Sequence, residues 1–266
     1  MKVPATILAC AVTGLAWVVG RDAVATSQAV QQEAAGRIGR AATPVVSRSN
    51  TYAERSAFTT RSITTPAVAE DRAERSASVA ARRRLIDAGA PGTYVHEVLI
   101  ERDSAIARWP DHVDRPLRVF VGDGGALDGW NAEFTDAVRD AFDRWSRTGI
   151  PVRFTYVVDA SQADVRVQFR DRFAEGISGK SIWSRDRDHW LQSADIQLAL
   201  THPAGGFVSV GQMHAIALHE VGHLLGLDHT ASAEHIMSPR IRVRDLSDAD
   251  QATVRLLYRV PAGSLR

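Results

Sequence analysis

The chain has 266 residues, enough for one or two ordinary domains, and its 32 Lys and Arg against 31 Asp and Glu leave a net charge of +1. That balance gives no electrostatic footing for nucleic acid or an anionic membrane surface, so neither is expected as a partner. A single cysteine, Cys10, excludes an intrachain disulfide framework, and a stable domain must rest on core size or on a metal.

Lys2 precedes an apolar run from Pro4 to Gly20, and the small-residue site Ala23-Val24-Ala25 follows. This fits a signal peptide or a slightly short membrane anchor over residues 1–25. Ile7-Leu8-Ala9-Cys10 resembles a lipoprotein box, but the apolar run continues well past the cysteine. Export without lipidation is therefore expected, to a secreted, periplasmic or cell-surface-anchored location. Membrane contact is expected only through this segment, if it stays uncleaved. From residue 26 to 90, Ala, Ser, Thr and Arg dominate and apolar residues are scattered. Such a composition buries too little apolar surface to offset chain entropy, which predicts a flexible linker or weakly structured prosegment. Within it, Ala69 to Ile86 can form a transient helix.

Order is expected from Ala90-Pro91-Gly92 onward, so residues 91–266 are assigned to one domain, expected to be monomeric. Tyr94 to Trp109 reads as an extension packing onto it. Pro116 to Val121 alternates polar and apolar, as a half-buried strand does. Asn131 to Arg147 sets Phe134, Val138, Phe142 and Trp145 at helical spacing, a core face. Val152–Val158, Asp164–Phe169 and Asp195–Leu200 are further strands, and Ile177–Ser184, short and poorly apolar, is an edge strand. Val208–Leu225 reads as a helix. A last helix starts at Ser247, with Asp250 completing a capping pair, and runs to Tyr258. The order predicts an α+β fold with a mixed five-stranded sheet and three helices.

The strongest signal is His219-Glu220-Val221-Gly222-His223-Leu224-Leu225-Gly226-Leu227-Asp228-His229. His219 and His223 stand one turn apart on one helix face, able to share a metal. Glu220 is offset by one residue, so its carboxylate can reach a water on that metal without being a ligand. Gly226 can adopt a left-handed backbone and swing the chain round, and His229 returns as a third ligand. Three neutral imidazoles leave the fourth tetrahedral position of a Zn²⁺ ion open, the catalytic rather than the structural pattern. Glu220 is then the expected general base. His214 and His235 lack matching spacing and are read as solvated or hydrogen-bonded histidines.

At this point the chain resembles the metzincin metallopeptidases, and within them the matrixins. Thr230 after the third histidine is matrixin-like, and Ile236-Met237-Ser238-Pro239 is similar to the family's Met-turn. Ala141–Trp145, Ala163–Phe169 and Leu246–Tyr258 add supporting similarity, so the resemblance covers Pro116 to Tyr258. It implies a metzincin-like zincin: a twisted sheet with its edge strand at a shallow cleft, and Met237 as a floor beneath the imidazoles. It implies a zinc-dependent endopeptidase whose polypeptide substrate lies extended along Ser178 to Trp183, with Trp183 as a contact. Pro239, at the head of the segment reaching Val243, would wall the pocket for the residue after the scissile bond.

The departures narrow this reading. No cysteine lies between Ala23 and the motif, so latency by a zinc-capping cysteine is unsupported. The loop before Asp195 has His189 as its only histidine, and Thr201–Gly206 stands where an acidic calcium loop is needed. One catalytic zinc is expected, and calcium is doubtful. Asp186 and Asp188 read as solvated loop charges. Two other readings fit the motif: an exported zinc-stabilised binding module with vestigial activity, and a zinc hydrolase of non-peptide amides.

Overall fold

The computed structural model describes residues 66–266. The expected signal peptide and the first part of the expected linker lie outside the described residues. Among those described, no helix is long and apolar enough to cross a membrane.

Helix α1 spans Pro66–Gly89. Its first half, through Ser78, belongs to a unit of its own, whereas Val79–Arg266 form one compact unit. That unit takes in residues upstream of 91, inside α1. The reason is local: Ile86 is fully buried in the core. Arg82 donates to the carbonyls of Pro261 and Ser264, and Arg83 donates to that of Leu265. A linker composition thus hides one apolar anchor and two guanidiniums that satisfy backbone acceptors near the C-terminus.

Helix α2 (Val95–Glu101) and the short strand β1 (Ala105–Ile106) follow, and β1 pairs antiparallel with β7 (Gly263–Ser264). The main sheet comprises β2 (His112–Val121), β3 (Val152–Val157), β4 (Val165–Arg170), β5 (Gly179–Arg185) and β6 (Leu191–Ala199). Its order is β3-β2-β4-β6-β5, parallel throughout except for the antiparallel β5–β6 pair. That is the expected mixed five-stranded sheet, with β5 at the edge as predicted. Alternation works as anticipated: Leu117, Val119, Val165, Val167, Ile196 and Leu198 are all buried.

Helix α3 (Glu133–Ser146) buries Phe134, Ala137, Val138, Ala141, Phe142 and Trp145, a stripe at helical spacing. Helix α4 (Val210–Leu224) is different in kind, because every residue from Ala215 to Leu224 is buried. An α-helix apolar on nearly all sides belongs in the middle of a domain. Two indole N–H groups fasten it there: Trp145 donates to the Leu218 carbonyl and Trp109 to that of Leu224, each at 2.9 Å. The capping box of Ser209 and Gln212 starts α4. Helix α5 (Asp248–Arg259) starts on the anticipated Ser247–Asp250 box. The described residues thus hold five α-helices rather than the expected three, because α1 and α2 lie upstream of the region where helical periodicity is strong.

Ile86→Ala is expected to cost about 2–5 kcal/mol of stability, the range for emptying a buried Ile site. Leu85→Ala, at a side chain that is 45% exposed, should stay within about 0.5 kcal/mol of the parent. Urea denaturation of both variants checks whether the end of α1 is part of the domain; equal midpoints would show that it is not.

Candidate metal centre

The inner face of α4 carries His219 and His223 one turn apart, both buried. At Gly226 the backbone turns to φ +99°, and a Cβ there would overlap the Ala107 carbonyl oxygen. Only glycine meets both conditions, and the turn brings His229 back to the other two. The three Nε2 atoms lie 3.1, 3.3 and 3.3 Å apart. Among the described residues this is the one group of three His, Cys, Asp or Glu side chains close enough to share an ion.

The chemistry of this donor set fits zinc. His219 Nδ1 lies 2.7 Å from the Ile236 carbonyl oxygen, and His223 Nδ1 lies 3.2 Å from that of Leu227. A carbonyl only accepts, so each Nδ1 carries the proton and each Nε2 presents a lone pair. Lone pairs facing one another have no hydrogen bond to make among themselves. Tetrahedral Zn–N bonds of about 2.05 Å would set the nitrogens about 3.3 Å apart. The observed spacing matches.

Electrostatics favour the same state. Burial lowers the pKa of His219 to about 4, with His229 adding to the effect and the Ile236 hydrogen bond opposing it. Burial also holds His223 well below its ordinary value, and lowers His229. All three are therefore neutral imidazoles near pH 7. Burial pushes the Glu220 carboxyl up to about 8, against the opposing hydrogen bond from Ser181. A dication beside it would draw that value back down.

Around the imidazoles lies a second set of contacts. Met237 is fully buried, and a Cβ at Gly222 would overlap its Sδ, so Gly222 is what lets Met237 reach α4. Asp250 goes beyond the capping role read from sequence. Its carboxylate accepts from Tyr94 Oη at 2.9 Å and from the Ile236 N–H at 3.0 Å. It also accepts from the N–H and hydroxyl of Ser247. Since the Ile236 carbonyl holds His219, Asp250 steadies a candidate ligand through one residue.

Arg102, following α2, reaches into the third-histidine loop. Its Nη2 donates to the Leu227 carbonyl at 2.6 Å and its Nε lies 3.0 Å from Asp228 Oδ2, both side chains being almost wholly buried. Asp228 Oδ1 in turn accepts the His229 N–H at 2.8 Å. Glu97 accepts the Ala231 N–H at 2.6 Å, so α2 and Arg102 hold this loop from both sides of His229.

Of the remaining expected site residues, Trp183 on β5 is half-buried against the core, with the Arg102 guanidinium 4.7 Å over its ring. Pro239 is exposed and lines an open hollow of about 310 Å³ with Ala231, Ala233, Ser238, Arg240 and Arg242. His214 lies 2.9 Å from an Asp140 oxygen, and His235 pairs with the Ser247 hydroxyl; neither joins the cluster. Asp186 shapes its loop, accepting the N–H groups of Asp188 and Trp190. Sequence reasoning passed over Arg102, Asp228, Gly222 and Ser181. Gly222 and Asp228 sit inside the motif, and alternation along the edge strand could have placed Ser181 on its inward face.

Replacing Arg102 with Met should destabilise the protein by about 3–5 kcal/mol, because the Asp228 carboxylate stays buried without its partner. The double variant Arg102→Met/Asp228→Leu should regain part of that loss. Denaturation curves of both test the clamp, and a single-variant loss under about 1 kcal/mol would refute it.

The matrixin family model matches residues 173–259. Among curated relatives, Metalloendoproteinase 1-MMP of Arabidopsis thaliana is 31% identical over 134 residues, covering 45% of this chain and 36% of the relative. Metalloendoproteinase 1 of Glycine max is 25% identical over 145 residues, covering 47% and 45%. Metalloendoproteinase 2-MMP of Arabidopsis thaliana is 35% identical over 85 residues, covering 30% and 21%. The chain thus spans less than half the length of these relatives.

Proposed function

We propose that this chain, a matrixin-type metzincin by residues 173–259, is a zinc-dependent endopeptidase that hydrolyses peptide bonds in extended polypeptides. The observation that carries the reading is the convergence of three imidazole Nε2 atoms at zinc spacing, two of them on the helix that also bears Glu220.

His219, His223 and His229 would hold the ion. When bound, zinc supplies Lewis acidity, lowering the pKa of a water to about 7 and polarising the scissile carbonyl. The protein's own part is positional and acid–base. Among the described residues the outer side of β5 has no strand partner, so an extended substrate can add there by main-chain hydrogen bonds. Trp183 and Pro239 are assigned to substrate contact, the latter at the hollow beside the Met-turn. Glu220 takes the proton of the attacking water and hands it to the departing amine, so that one carboxylate serves both halves of the reaction. Met237 supports the imidazoles from below. Export of the chain belongs to the same reading.

Glu220→Ala should retain one zinc per chain, measured by metal analysis, while cleavage of a denatured protein substrate falls at least about 100-fold. Undiminished turnover in that variant would sink the assignment. Zinc uptake by the parent with no cleavage of any peptide library would favour the binding-module reading instead.

A further inference from the structure

The inward face of the edge strand does something the motif does not account for. Side chains of β5 alternate, and Gly179 and Ser181 share the face turned to α4. Ser181 Oγ lies 2.9 Å from Glu220 Oε2 and 2.8 Å from the Glu220 backbone oxygen. Two residues earlier, a Cβ at Gly179 would lie 2.5 Å from Glu220 Oε1. The strand therefore meets both oxygens of one carboxylate, one through a hydroxyl and the other through bare backbone.

We infer that Ser181 is a positioning residue for Glu220: its hydroxyl fixes the plane of the carboxylate of the residue next to His219, and Gly179 leaves room for the second oxygen. This rests on the peptidase reading above for its kinetic consequence, though not for its geometry.

A hydroxyl has one proton for two nearby acceptors. The backbone oxygen of Glu220 lies inside α4, where a helical N–H four residues on serves it. A carboxylate attracts the proton more strongly than a neutral carbonyl, so the hydroxyl donates to Oε2. Glutamate has several rotatable bonds, and a general base must hold its proton-accepting oxygen within hydrogen-bond reach of the water it serves. The half-buried serine offers the fixed donor that removes this freedom. Because Ser181 belongs to the strand proposed to bind substrate, it also ties the base to the strand that sets the height of the scissile bond.

The test compares the zinc-loaded full chain with Ser181→Ala and Ser181→Thr, using one quenched peptide that the parent cleaves. Thr keeps the hydroxyl and suits a strand. Ser181→Ala should lower kcat about 10- to 100-fold, as loss of an outer-shell partner does, with KM within about twofold. Ser181→Thr should restore most of kcat. Zinc content and melting temperature, measured for each, separate this from misfolding. Crystal structures of the zinc-loaded parent and Ser181→Ala give a readout without turnover: one Glu220 rotamer in the parent, and more than one in the variant. A kcat within twofold of the parent, equal losses in Ala and Thr, or an unchanged single rotamer would each overturn the inference. If the parent cleaves no peptide but the rotamers diverge as expected, the peptidase reading fails and the positioning role stands.

Discussion

Three imidazole Nε2 atoms are held 3.1–3.3 Å apart, and the surrounding architecture keeps them there. Helix α4 supplies two of them from a rigid, fully buried stretch, so neither can swing away without opening the core. Two backbone carbonyls, of Ile236 and Leu227, fix the rings by accepting their Nδ1 protons. Those carbonyls lie in loops, and each loop is itself anchored: Ile236 by Asp250, Leu227 by Arg102. Two of the three rings are thus backed two hydrogen bonds deep, which is how an outer shell tunes ligand geometry.

The same burial that makes the histidines good ligands makes Glu220 a reluctant anion. A low-dielectric setting disfavours protonated imidazole and ionised carboxylate alike, so both effects come from one cause. The two are reconciled when a cation enters, because its charge supports the carboxylate and engages the lone pairs at once. Met237, buried against Gly222, preserves that setting without adding a competing polar group.

How much of this could be read from sequence follows the range of the interactions. The zinc motif is compressed into residues 219–229, and helical geometry alone puts two of its histidines together. The strands of the sheet were legible because period-two alternation is local. The edge position of β5 was legible because its apolar content is low. The Arg102–Asp228 pair was not, since nothing near either residue announces a partner 126 positions away. The second half of α1 was hidden for a related reason: one Ile and two Arg in a polar segment do not distinguish a docked helix from a solvated one. Asp250 was seen as a cap because capping is local, while its bonds to Tyr94 and Ile236 are tertiary.

The upstream segment has a consequence in time as well as in space. Arg82 and Arg83 bond to carbonyls 179 to 182 positions downstream, β1 pairs with β7, and Tyr94 bonds to Asp250 across 156 positions. During synthesis the α2 segment emerges well before the surfaces it rests on. Arg102 therefore cannot settle against the third-histidine loop until Leu227 and Asp228 have been made. Contacts this distant in sequence slow folding, because loop closure precedes their reward. The three-histidine motif at residues 219–229 is itself made late, and Asp250, which braces one of its supporting loops, comes later still, so a finished metal centre would be a late product of folding.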